Sequence, residues 1–200
     1  MEQAASDIEL RRLLARVEAD PQIKPLLEQL NDPAVADDSD MLEGLRGKLL
    51  AHAAVRQLQG AIVAVRESPD QPPTASWFIT DAQGLQLARS PLSRTVGRNF
   101  AWRTYFTGES ADRPRAWRPA GDDGHLQETN LSTVFRSQAS GRWIVTISAP
   151  LYDVERPKKF LGVLALTVEV GRFVELRGDD NPHRFGVLVD LREGADRGLI

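Results

Sequence analysis

Two β-branched runs constrain what this chain can fold into more than any other feature. Residues 143–150 read WIVTISAP and residues 160–170 read FLGVLALTVEV. Both are rich in Val, Ile, Leu and Thr, and β-branched residues above all suit a pleated, half-buried surface. In the first run Trp143, Val145 and Ile147 fall on one face by period-two alternation. The short connection LYDVERPKK joins the two runs, which predicts antiparallel strands. A shorter pair precedes them in SWFITDAQGLQLA, where Asp81-Ala82-Gln83-Gly84 is a turn ending on glycine. A further strand, FGVLVDLRE, is expected at 185–193, after the turn-rich RGDDNPH.

The first third of the chain follows a helical period instead. Ser6 to Glu9 has the form of a capping box. Leu10, Leu13, Leu14 and Val17 then make one stripe at i, i+3, i+4, i+7. Asp20-Pro21 ends that helix and supplies a proline for the first turn of another, while Pro25 and Pro33 keep the elements short. From Asp38 onward a single helix of about 27 residues, roughly 40 Å long, is expected. Asp38, Ser39 or Asp40 would cap it, and Leu42, Leu45, Leu49, Ala53, Leu58, Ile62 and Val65 would form its apolar stripe. A long helix followed by antiparallel strands predicts an α+β fold. The expected divisions are an N-terminal helical segment at 1–37, a main domain at 38–176, and an extension or the start of a truncated second module at 177–200.

Composition narrows the function. The 200 residues carry 25 Lys+Arg against 28 Asp+Glu, a formal charge of -3, so no basic surplus draws the chain to nucleic acid. Without cysteine there are no disulfides, thiolate metal sites or cysteine nucleophiles. His52, His125 and His183 have no histidine or cysteine partner at i+3 or i+4. No G-x-S-x-G elbow, P-loop or G-x-G-x-x-G occurs. GDDG at Gly121–Gly124 reads as an acidic surface loop, and the RGD of Arg177–Asp179 as a chance tripeptide. No catalytic residue, metal or cofactor is therefore expected, and the chain is not read as an enzyme. No run approaches the roughly 18 apolar residues of a membrane span. The chain stops at RGLI, partway into what reads as a strand, so it is expected to be a piece of a longer protein.

The stretch from Gly97 to Gly141 is irregular yet holds VGRNFAWRTYFTG, where Arg103 lies among Phe100, Trp102, Tyr105 and Phe106. An irregular stretch of that length is usually functional or disordered, and its aromatics argue against disorder. A guanidinium among rings can hold a carboxylate or phosphate, or it can pair with an acid of its own domain and fix the loop. Core packing is the expected role of Trp77, Phe100, Trp102 and Phe106.

The ordered set of motifs resembles the Cache family, PAS-like sensor domains of bacterial transmembrane receptors. A D-x-x-G turn (Asp81 to Gly84) precedes a block with Gly97, Arg103, Tyr105 and Phe106. Ser140-Gly141 then leads into Ile147-Ser148-Ala149-Pro150, and Gly162-Val163 opens the last strand of the set. The resemblance spans about residues 75 to 175 and reaches, in NFAWRTYF, ISAPLYD and FLGVLALTVEVGRFVEL, sensor regions attached to bacterial serine/threonine protein kinases. It implies a long N-terminal helix packed on a central antiparallel PAS-like sheet, with ligand held between sheet and loops. It also implies a place outside the cytoplasmic membrane, with membrane attachment and output domain supplied by segments absent from this chain. A second module would make it double-Cache-like.

The family's amino-acid-binding branch has a Tyr five residues before the Arg, then Arg-x-Trp-Tyr, and two aspartates for the ligand's ammonium. In this chain those positions hold Arg98, Tyr105 in place of the Trp, and Ser137 and Thr167 in place of the aspartates. The carboxylate-binding half is kept and the amine-binding half is absent. The resemblance thus implies a small carboxylate or other anion, with Arg103 as anchor, Tyr105 as second contact, and Ser137 and Thr167 on the pocket floor. The alternative is a ligand-free structural domain, or a homodimerisation domain that uses the long helix.

Overall fold

The computed structural model describes residues 1–34, 40–69, 76–121 and 123–170. The expected strand at 185–193, the extension at 177–200, His183, the RGD tripeptide and the caps Asp38 and Ser39 lie outside them. Helices α1 to α5 span Glu2–Ala5, Ile8–Ala19, Lys24–Asn31, Asp40–Ala51 and Ala53–Glu67. After them come β1 (Ser76–Thr80), β2 (Gln86–Ser90), α6 (Thr104–Thr107), β3 (Asn130–Leu131), β4 (Phe135–Arg136), β5 (Trp143–Tyr152) and β6 (Phe160–Glu169).

The two runs that opened the reading become β5 and β6, paired antiparallel from Ile144↔Glu169 to Tyr152↔Phe160. The sheet runs β2-β1-β6-β5-β3, with β4 also on β5. Trp143, expected on one face with Val145 and Ile147, is 58% exposed. It sits at the first position of β5, outside the pairing with β6 that starts at Ile144. Gly162 is fixed by close approach. A Cβ there would run into the Thr80 carbonyl oxygen, so only glycine lets β6 pass the end of β1.

The expected continuous helix is two helices. His52 is extended (φ -67, ψ 134) between α4 and α5. At 100° per residue, the buried Leu42, Leu45 and Leu49 of α4 point about 140° away from the buried Val55, Leu58 and Ile62 of α5. One straight helix cannot bury both stripes, so the chain breaks between them. Ala53, read as bridging the stripe, is exposed. The break lets α4 lie on α3 while α5 packs on β2 and α2. Two caps also differ from expectation. Asp7, not Ser6, caps α2, its carboxylate accepting from the Glu9 and Leu10 amides; Pro25, not Pro21, stands in the first turn of α3.

The sheet has two unlike faces. On one, Trp77, Ile79, Leu87, Leu164 and Leu166 form a continuous core with Leu10, Leu14 and Val17 of α2 and Val55, Leu58 and Ile62 of α5. The N-terminal helices thus share one core with the sheet. On the other face Phe78, Val163 and Ala165 meet Phe100, Trp102, Tyr105 and Phe106 from the 91–141 excursion. All four aromatics expected in the core are buried there or, for Trp77, under the helices.

Candidate functional site

The D-x-x-G turn positions the excursion. The Asp81 carboxylate accepts from the Gln83 and Leu85 amides and from Asn31 Nδ2 (2.9, 2.8 and 3.1 Å). Burial pushes this carboxyl up to about 7 against the pull of those hydrogen bonds. Gly84 has φ +83, and a Cβ on it would come within 2.5 Å of the Ala101 backbone. The Phe100 amide can therefore donate to the Gly84 carbonyl at 2.8 Å, which docks NFAWRTYF against the sheet.

Arg103 caps the short α6, whose four residues are all buried. Its Nη1 donates to Asp112 Oδ2 at 2.7 Å, while Asp112 Oδ1 accepts from the Thr104 amide at 2.9 Å. One carboxylate thus serves a guanidinium and a helix N-terminus together. The guanidinium lies between two rings, 4.0 Å from the Trp102 centroid and 4.3 Å from that of Phe135. Of the two roles open to Arg103 from sequence, the internal ion pair is the one present in this geometry.

A small cavity of about 30 Å³ opens beside it, room for about two waters. Arg103, Tyr105, Ser137 and Thr167, chosen from sequence across 65 positions, all line it, with Phe78, Phe100, Phe135 and Ile144 supplying apolar wall. Among the described residues no Asp or Glu lines it. Burial raises the Tyr105 phenol's pKa, partly offset by Arg103 and Arg89, so it stays a neutral hydroxyl. The Ser137 hydroxyl accepts from the Ala139 and Ser140 amides and shapes the β4–β5 turn. The Thr167 hydroxyl bonds the Ser76 hydroxyl and carbonyl. Arg98 lines a separate cavity with Leu30, Leu42 and Trp102.

Sequence reasoning missed Arg89 and Gln86, which line the same cavity. Three positions apart, they belong on opposite faces of a regular strand. A register shift between Ile79 and Thr80 pairs Thr80 with Gln86 and Phe78 with Arg89, so both face the excursion. The signal in the sequence was an arginine in a strand that must be buried. Its backbone is clamped at both polar atoms by the Gln59 side-chain amide of α5 (2.9 and 2.8 Å). Nη2 donates to Ser76 Oγ at 2.7 Å, and the guanidinium lies 5.6 Å from the Phe78 ring. Arg89 is 8% exposed, and burial pulls its pKa below the ordinary arginine value. His125 has a packing role, stacked on Phe160 at 3.6 Å. Among the described residues there is no metal-binding cluster of His and acids, and no helix is long and apolar enough to cross a membrane.

No family model matches the chain, and no curated protein matches it. Solved structures resemble it in part. The sensor domain of the histidine kinase DctB from V. cholerae is 18% identical over 90% of this chain and 58% of that one, with a TM-score of 0.47. The ligand-binding domain of the Pseudomonas fluorescens chemoreceptor CtaA, in complex with L-serine, is 14% identical over 90% of this chain and 66% of that one, with a TM-score of 0.43. The E. coli DcuS sensor domain is 16% identical over 89% of this chain and 97% of that one, with a TM-score of 0.38. The chain spans 58% of the length of the DctB domain.

Proposed function

We propose that this chain is a ligand-sensing domain, of Cache type, whose cavity between sheet and excursion takes a small anion, a carboxylate above all. One observation carries the reading: buried Arg89, partly buried Arg103 and the buried Tyr105 phenol converge on one cavity that no acid among the described residues lines. A guanidinium fork and a hydroxyl fit a carboxylate, and no carboxylate among the described residues of the wall offers a counter-charge to an ammonium. Tyr105, Ser137 and Thr167 are the proposed contacts, with Arg103, the anchor expected from sequence, and Arg89 as the two cationic groups beside them.

The cavity is too small for a ligand of several heavy atoms as it stands. Binding would displace the 137–141 turn, which is held by its own bonds: Gly141 amide to Ser137 carbonyl and Ser137 amide to Arg142 carbonyl, both 2.8 Å. The ligand would thus favour an opened arrangement over the closed one, which is how a binding event becomes a conformational signal. In a longer protein the domain would stand outside the cytoplasmic membrane and act on an attached output, a serine/threonine protein kinase in the reading from sequence. A ligand-free structural or dimerisation domain is the second reading, favoured by the completed Arg103–Asp112 pair.

Melting curves in a panel of small carboxylates, at constant ionic strength, separate the two. A ligand at 100 times its Kd stabilises the folded state by about 2.7 kcal/mol, a rise of roughly 5–10 °C for a chain of this size. Sensing predicts such a rise with at least one acid and none with free amines; the second reading predicts none with any.

A further inference from the structure

We infer that Arg89, not Arg103, supplies the charge that holds the anion, and that Asp112 is the internal competitor keeping Arg103 from it. The inference rests on the sensing reading and deepens it. The two arginines line the same cavity but are electrically unlike. Arg103 already has a carboxylate at 2.7 Å and a ring on either side. Arg89 has no acid in ion-pair range among the described residues; its bonds are one hydroxyl and its own clamped backbone. A guanidinium carries five donors, and among the described residues only Nη2 of Arg89 has a partner.

Burying a cation without a counter-charge is costly, and proteins that do so supply a partner. Here no such partner is found among the described residues, and Arg89 lines the cavity. The backbone clamp from Gln59 matters because β2 is an edge strand of the sheet. It holds the arginine's root still, so the fork is aimed before anything binds. The ligand that completes this arrangement carries one negative charge. A planar carboxylate would sit bidentate on Arg89, within reach of the Tyr105 hydroxyl, with any short alkyl body against Phe78, Phe100 and Ile144. A second carboxylate would find Arg103 taken by Asp112.

Acetate and propionate, titrated calorimetrically against chloride at equal ionic strength, test this with wild type, Arg89→Met, Arg89→Lys and Asp112→Asn. Arg89→Met is expected to weaken binding at least tenfold while its melting temperature in chloride holds or rises, because a buried unpaired charge has gone. Arg89→Lys keeps the charge but not the fork and should recover part of the affinity. Asp112→Asn should lower the melting temperature in chloride yet tighten binding, since Arg103 is released toward the cavity. Arg89→Met binding acetate as tightly as wild type overturns the assignment and leaves the sensing reading standing. Wild type binding neither these acids nor any of the carboxylate panel overturns the sensing reading, and this assignment with it.

Discussion

The two faces of the sheet are made by the same strands and differ in what alternate residues ask of their cover. Under the helices, Trp77, Ile79, Leu164 and Leu166 meet Leu14, Leu58 and Ile62, apolar against apolar. Under the excursion, Phe78, Ala165 and the phenyl rings are interleaved with Arg89, Gln86, Thr146 and Thr167. A regular helix can seal the first face because, apart from the Trp77 indole N–H, the side chains there carry no hydrogen-bonding groups. The second needs partners at particular points: Thr95 of the excursion donates to Gln86, and Ser76 of β1 takes Arg89 and Thr167. Apolar packing dominates one side of the sheet, and the proposed recognition site lies on the other. Between them Asp81 ties both covers together, since Asn31 of α3 donates to it and accepts from Asn99 of the excursion at 2.7 Å.

The sharpest way to break that contrast is to cut into each face on the same strand. Leu164→Ala, on the helix side, should cost about 2–5 kcal/mol in urea unfolding, as fully buried leucines do. A loss below 1 kcal/mol would mean the helices do not seal that face. Asp112→Asn comes next, at about 1.5–3 kcal/mol for a lost charge-assisted bond. Adding Arg103→Met to it should cost less than the two single changes summed; simple additivity would deny the pair. The tie at Asp81 is read by pH. Its carboxyl is raised to about 7 in the folded state from an ordinary 3.8, so the folded chain holds a proton that the unfolded chain releases. Its contribution is complete below pH about 4 and is lost as pH rises to about 7, with a slope of at most about 1.4 kcal/mol per pH unit. Melting temperature should carry that fall, and Asp81→Asn should flatten it; a variant with the wild-type slope contradicts the assignment. Smallest is Thr167→Val on the excursion side, where losing the bond to Ser76 should cost about 1 kcal/mol. A cost matching Leu164→Ala would erase the distinction between the faces.

The helix-covered face was legible and the excursion-covered face only partly so. β5 and β6 follow from β-branched runs, and the D-x-x-G turn from Asp81 and Gly84, because local chemistry determines both. Arg103, Tyr105, Ser137 and Thr167 could be gathered by motif order, and the fold places them around one cavity. The helix break at His52 was written in the phase slip from Leu49 to Val55, hidden by counting Ala53 into the stripe. Arg89 could not be placed by alternation, because the irregularity between Ile79 and Thr80 belongs to the pairing of two strands and to neither alone. Asp112 as partner of Arg103 lay equally out of reach, since a nine-residue loop can return any of several acids.

The central claim, that the excursion face holds an anion on Arg89, is read most directly by the arginine Nε–H resonances in a proton–nitrogen spectrum during an acetate titration, with Arg89→Lys and Arg103→Lys assigning the peaks. The account predicts that the Arg89 signal shifts and saturates while the Arg103 signal, held by Asp112, moves far less. Movement of Arg103 alone, or of neither peak at saturating acetate and propionate, would contradict it.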